Sequence, residues 1–283
     1  MTLIENRQFP EERDLYGVSD ATLRHCAFDG AADGESALKE GRDIVLESCF
    51  FNLRYPLWHD DGVSLSDCTL TENCRAALWY SRRIRAQKSR LLGIKALREC
   101  ERAAFSDCEI VSPEFGWKCR DVRIRNTSLS GEYAFLLSSD LDLKGVDFRG
   151  KYSFQYIKNA VIEDCTLDTK DAFWHAENVT VKNCLVKGEY LGWYSDHLTF
   201  DHCKIVGTQP LCYCKNLKLV DCEMQETDFS FEYSEVDAEI RGEILSVKNP
   251  KSGRIVADRI AEILLTEDSK MPCDCKIVVR GSE

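Results

Sequence analysis

Two carboxylates, an imidazole and a row of tyrosines stand at spacings that could do chemistry. Glu189 follows Asp171 by 18 residues, one short of the 19-residue steps that lead from Cys165 to Cys184, Cys203 and Cys222. If that step is one turn of a stacked repeat, Asp171 and Glu189 lie on neighbouring turns roughly 5 Å apart, near the separation used by retaining glycosidases. His175 shares a column with Tyr156, Tyr194 and Tyr213 and could add acid–base and orienting groups. The catalytic candidates are therefore Asp171, His175 and Glu189. Ligand-binding candidates are Glu132, Lys151, Tyr156, Lys170, Tyr194 and Tyr213. A ribbon of Tyr and His rings with polar heads is a surface on which sugar rings could lie.

The same columns also arise from packing alone. Like-on-like aromatic stacking stabilises parallel strands, and alternating charges on adjacent turns, Glu132 beside Lys151 and Lys170 beside Glu189, form a salt-bridged ladder. The two readings predict different surfaces. A binding site requires a concave cleft over the turns from Glu132 to Tyr194. A structural ladder leaves a smooth face with Asp171 and Glu189 paired to Lys151 or Lys170.

The elements that must hold these residues follow from the repeat. Eleven copies share one pattern, centred on Cys26, Cys49, Cys68, Ser89, Cys108, Thr127, Val146, Cys165, Cys184, Cys203 and Cys222. Apolar residues recur five and three before the central residue, at it, and two after it, as in Leu198, Phe200, Cys203 and Ile205. Strand alternation with a change of parity before the Cys implies a bend there and turns the Cys inward as a small apolar residue. A unit this short cannot close a core alone, so the expected fold is all-β, a single-stranded right-handed parallel β-helix of about eleven coils of about 19 residues. Residues 1–20 and 243–283 are expected as terminal caps, 21–242 as coils, and 1–283 as one domain. All five tryptophans sit ten residues before a central residue, and parity places that column inside and the adjacent Tyr/His column outside. Leu97, Phe135, Phe154, Phe173 and Leu211 are expected to flank the outer ribbon, and the small residues from Ser81 to Cys214 to fill an interior corner.

Composition narrows the function classes. The 283 residues carry a net charge of −11, which gives no excess of Lys and Arg for phosphates, so no nucleic-acid partner is expected. No apolar run is long enough to span a membrane, and no secretory signal is visible, which points to a cytoplasmic protein. Its fifteen cysteines are then reduced thiols. Their spacing matches no zinc site, and no nucleotide, hydrolase or metalloprotease motif occurs, so neither metal nor cofactor is expected.

The segments GESALKE, YPLWH, RAALWYS, KALREC, PEFGW, GKYSFQY, KDAFWHAENVTV, GEYLGWYS, GTQPLCYC and SVKNP, from about Phe9 to Asp258, resemble those of a bacterial family known only as a domain of unknown function. That resemblance implies a fold similar to the pectin-lyase-like right-handed β-helices and brings no activity. The chain lacks the clustered Asp set with R-I-K of polygalacturonases and the calcium-binding Asp group with an Arg base of pectate lyases. Two functions stay open. One is binding or processing of a saccharide-like ligand along the aromatic and charged face, as a carbohydrate-active hydrolase, lyase or isomerase if an enzyme at all. The other is a noncatalytic protein-interaction scaffold with purely structural ladders.

Overall fold

The computed structural model describes residues 2–31 and 34–281. Its elements are all strands, with no helix among the described residues. The chain is a parallel β-solenoid of about 15 turns of ~19 residues. By contact density it divides into two compact units, Met1–Asp142 and Leu143–Glu283.

In the first unit the principal strands are Thr2–Glu5, Ser19–Arg24, Arg42–Glu47, Asp61–Ser66, Arg82–Gln87, Glu101–Ser106 and Arg120–Arg125, each parallel to the next. Alternation buries the third and fifth residue of each repeat strand, for example Ile44 and Leu46, Val63 and Leu65, Val122 and Ile124. The expected bend before the central residue is a single left-handed residue, with φ of 53° at Asp67 and Asp107 and 46° at Asn126. Asp and Asn tolerate that region better than other side chains, which accounts for their frequency at this position. The bend turns Cys49, Cys68, Ser89, Cys108 and Thr127 into the interior. Each bonds back over the bend: Cys68 Sγ reaches the Ser66 carbonyl at 3.4 Å, and Ser89 Oγ donates to the Gln87 carbonyl at 2.8 Å. A thiol and a hydroxyl thus do the same task, as the Ser and Thr replacements imply.

In the second unit Lys158–Glu163, Glu177–Lys182, Asp196–Asp201 and Leu217–Gln225 continue the pattern, with Cys165, Cys184, Cys203 and Cys222 buried. Phe154 and Phe173 stack at 5.1 Å inside it. Burying one such side chain contributes about 1.5–3 kcal/mol.

The number of turns and the nature of the ends differ from the sequence expectation. Thr2–Glu5 pairs in parallel with Ser19–Arg24, and Glu235–Lys248, Ser252–Leu264 and Lys276–Val279 extend the ladder. The stretches 1–20 and 243–283, expected as caps, thus hold strands that continue the ladder; Met1, Ser282 and Glu283 lie outside the described residues. The late turns escape the repeat pattern because Ile240 pairs with Cys222 and Ala257 with Ile240, steps of 18 and 17 residues, and neither carries a Cys.

The tryptophan column also differs. Trp58, Trp79, Trp117, Trp174 and Trp193 are half-buried on the outside, while Leu57, Leu78, Leu97, Phe135, Phe154, Phe173 and Leu211 fill the interior. The residues expected to flank the ribbon are therefore core. Parity fails here because the backbone is not extended: Asp171, Phe173 and His175 all have left-handed φ, at 54°, 62° and 54°, so Ala172 and Phe173 are both buried. The small column holds as expected, with Ser81, Cys100, Cys119, Ser138, Ala176, Ser195 and Cys214 all buried.

Candidate functional site

The aromatic column of the second unit forms one ordered stack. Tyr156 and His175 lie 4.7 Å apart between ring centres, His175 and Tyr194 5.1 Å, and Tyr194 and Tyr213 4.8 Å, with planes within 13° of one another. Tyr233 follows at 5.8 Å, tilted by 46°. Every ring sits on a backbone N–H that bonds the next turn, as Tyr156 N to the Trp174 carbonyl at 2.8 Å and His175 N to the Trp193 carbonyl at 2.9 Å. The strand spacing of about 4.8 Å therefore sets the ring spacing. Tyr156 and Tyr194 remain 45% and 46% exposed, so the stack presents ring edges and phenol hydroxyls to solvent. Burial pushes the Tyr213 phenol up to about 12, with the carboxylate of Glu232 adding to the shift.

Beside the stack, Trp174 and Trp193 lie parallel at 5.5 Å. Their indole N–H groups donate to the Tyr190 and Gln209 carbonyls at 2.7 and 2.8 Å. Both rings are thereby locked with one edge outward.

The charged candidates are placed less uniformly. Lys170 Nζ bonds Glu189 Oε2 at 2.7 Å, the ladder pair expected from the spacing, and that bond raises the Lys170 pKa. Lys170 Nζ also lies 5.2 Å from the Tyr190 ring centre. Asp171 is 6% exposed, and its backbone N–H donates to the Glu189 carbonyl at 2.9 Å, which puts the two residues on adjacent turns as expected. Burial raises the Asp171 carboxyl above the usual range; Lys170 opposes the shift and Glu189 adds to it. Glu132 closes the strand Ser128–Glu132 in the first unit, where its carbonyl accepts the Glu114 N–H at 2.8 Å. Lys151 closes Asp147–Lys151 in the second unit, with its Nζ 5.5 Å from the Tyr152 ring centre. The structure thus gathers Tyr156, His175, Tyr194 and Tyr213 into one surface and Lys170 with Glu189 into one ion pair.

Three cavities, of about 530, 500 and 430 Å³, open on the strand face of the first unit and beside Arg241 in the second; none is lined by a ring of the stack. Among the described residues no three His, Cys, Asp or Glu side chains converge as a metal-ligand set. The sequence reading passes over Arg85 and Arg123 on that first strand face and over the buried Asp60. Their signal is weak: an exposed arginine repeats in no aromatic or apolar column, and Asp60 stands where other turns place Ser, Cys or Ala.

A family model described as Protein of unknown function (DUF3737) matches residues 2–278. The chain belongs to that family. No curated protein matches this DUF3737 chain. Among solved structures it is similar to the tailspike protein gp49 from Pseudomonas phage LKA1, at 9% identity and a TM-score of 0.36, over 92% of this chain and 46% of that one. It is also similar to the periplasmic alginate epimerase AlgG, at 9% identity and a TM-score of 0.29, over 93% and 76% of the two chains. A third likeness is to the Azotobacter vinelandii mannuronan C-5 epimerase AlgE4 A-module, at 11% identity and a TM-score of 0.26, over 97% and 85%. The DUF3737 chain thus spans less than half the length of the tailspike protein.

Proposed function

We propose that the protein binds a saccharide along the ridge formed by Tyr156, His175, Tyr194 and Tyr213. The observation that carries this reading is the ordered four-ring stack, which sets phenol hydroxyls and apolar ring edges at intervals of about 5 Å along an exposed face. Sugars present the same alternation of hydroxyls and C–H surface, so a ridge of amphipathic edges can pair with both. None of the three cavities lies over the ridge, and Glu189 is paired to Lys170 as a structural ladder requires, so the ridge can bind only as an open contact surface and not as the cleft expected from the sequence. We also propose a cytoplasmic location, since fifteen free cysteines suit a reducing compartment.

A second, catalytic reading rests on one observation. Asp171 is buried and holds its proton more tightly than usual, while Glu189 on the next turn is ion-paired to Lys170. Two neighbouring carboxyl groups in unlike environments are the pattern by which glycosidases divide acid and nucleophile.

A thermal-shift series with neutral oligosaccharides tests both. A ligand at about 100 times its Kd adds about 2.7 kcal/mol of stability. Binding should disappear in Tyr156→Ala and Tyr194→Ala. A shift that survives those changes removes the ridge from consideration, and product release abolished by Asp171→Asn would establish the catalytic reading.

A further inference from the structure

The exposed strand face of the first unit holds a group of arginines that has no part in the ring ridge. Register aligns Val45, Ser64, Arg85, Ala104 and Arg123 on consecutive strands. These five residues line both of the adjoining cavities of about 530 and 500 Å³, which makes them the floor of one trough. Ser64 and Ala104 are small, so the floor drops beside each projecting arginine. Arg85 and Arg123 stand two strands apart, about 10 Å, with the recess over Ala104 between them.

The carboxylates around this trough are already engaged. Asp43 accepts from Arg83 Nη2 at 3.1 Å, and Arg83 Nε bonds Asp61. Arg83 lies across Gly62, whose φ of +82° favours glycine and whose missing side chain leaves room for the tips of Asp43 and Arg83. Asp121 is 3.2 Å from Arg123, and Glu47 is held by Arg24 at 2.7 Å. Among the described residues Arg85 alone on the floor row has its guanidinium without a protein partner while facing both cavities. Of the five arginines that line the trough, four carry ion partners, Arg83 with Asp43 and Asp61, Arg102 with Glu101, Arg123 with Asp121 and Arg125 with Asp142, which leaves the charge of Arg85 uncompensated.

We propose that this trough binds a small polyvalent oxyanion, with one carboxylate or phosphate group seated over Ala104 between Arg85 and Arg123. The planar guanidinium fork matches either oxyanion in two parallel hydrogen bonds. Ser64 on the floor and Gln87 at the side of the second cavity can serve the ligand's remaining polar groups. A nucleic-acid strand is a poor occupant. The one aromatic residue that lines the trough, Phe105, is buried and offers no ring face for base stacking, and the negative chain repels a long polyphosphate.

Isothermal titration of the full chain with citrate and, separately, with inorganic tripolyphosphate at low salt tests the site and distinguishes carboxylate from phosphate. Arg85 is exposed, so Arg85→Ala should fold as the parent does, with an unchanged melting curve as the check. Binding of either probe should weaken at least about tenfold in Arg85→Ala and in Arg123→Ala, since a hydrogen bond to a charged group contributes that much or more. Arg149→Ala, an exposed arginine of the second unit, should leave it unchanged. The proposal is overturned if neither probe binds, if Arg85→Ala binds as the parent does, or if Arg149→Ala weakens binding equally, since the effect would then be one of net charge.

Discussion

Asp60 occupies the interior position that Ser81 fills one turn later, and Ser81 Oγ accepts the Asp60 backbone N–H at 3.0 Å while donating to the Leu57 carbonyl at 2.8 Å. Asp60 Oδ1 in turn accepts the Gly41 N–H at 2.9 Å, but Oδ2 is buried without a hydrogen-bond partner. A carboxyl therefore stands in a ladder built for hydroxyls and thiols.

Burial pushes the Asp60 carboxyl well above its usual range. Because the folded pKa exceeds the unfolded one, the protonated carboxyl favours folding below about pH 4, and that contribution is lost as pH rises through the folded value. Asp60→Ser keeps an acceptor for the Gly41 N–H and removes the buried charge. The variant should be more stable than the parent by about 1–3 kcal/mol at pH 8. The gap should narrow towards pH 4. Urea unfolding across that range would refute this if the gap were flat.

Gly188 has φ of +154°, and a Cβ there would meet the Thr169 carbonyl oxygen at 2.1 Å. The atom in the way is backbone of the preceding turn and cannot step aside. Gly188→Ala should therefore cost more than about 1 kcal/mol, read as a lower urea midpoint at unchanged slope. An unchanged midpoint would mean that adjacent turns can slide apart.

Tyr194 stacks on both His175 and Tyr213. Tyr194→Phe keeps both ring contacts and should alter stability by no more than about 0.5 kcal/mol. Tyr194→Ala removes two stacked pairs, each contributing about 0.5–1.5 kcal/mol. If Tyr194→Phe loses saccharide binding while keeping its melting temperature, the hydroxyl row and not the ring stack makes the contact.

Thirteen of the fifteen free cysteines are buried, and Cys273 and Cys275 are partly exposed. Burial still pushes the Cys275 thiol up to about 11, so Cys275 is not strongly nucleophilic. A thiol reagent applied to the native protein should label at most these two quickly, with the rest appearing only on unfolding. Mass spectrometry showing early labelling of Cys203 would contradict the inward ladder.

The central ladder was legible in the sequence because one residue in nineteen obeys a strict size limit: Cys49, Cys68, Cys165 and Cys203 all have to fit the same interior corner after a left-handed bend. Hydrophobic alternation identified the buried strand residues for the same reason, since an extended backbone leaves side chains only two directions. Neighbour relations such as Lys170 with Glu189 followed from the period alone. The sense of the tryptophan column did not, because around Asp171, Phe173 and His175 every second residue is left-handed, and sequence parity carries no information where the backbone is not extended. Nor did the last turns, whose step falls from 19 to 18 residues at the irregularity between Leu219 and Cys222 and from 17 to 16 at the one between Ile240 and Glu243. The trough around Arg85 was decided only in three dimensions. Its Arg83 pairs join residues on different turns, to Asp43 and to Asp61, and whether a guanidinium is engaged or left open depends in part on which carboxylates the neighbouring turns bring within reach.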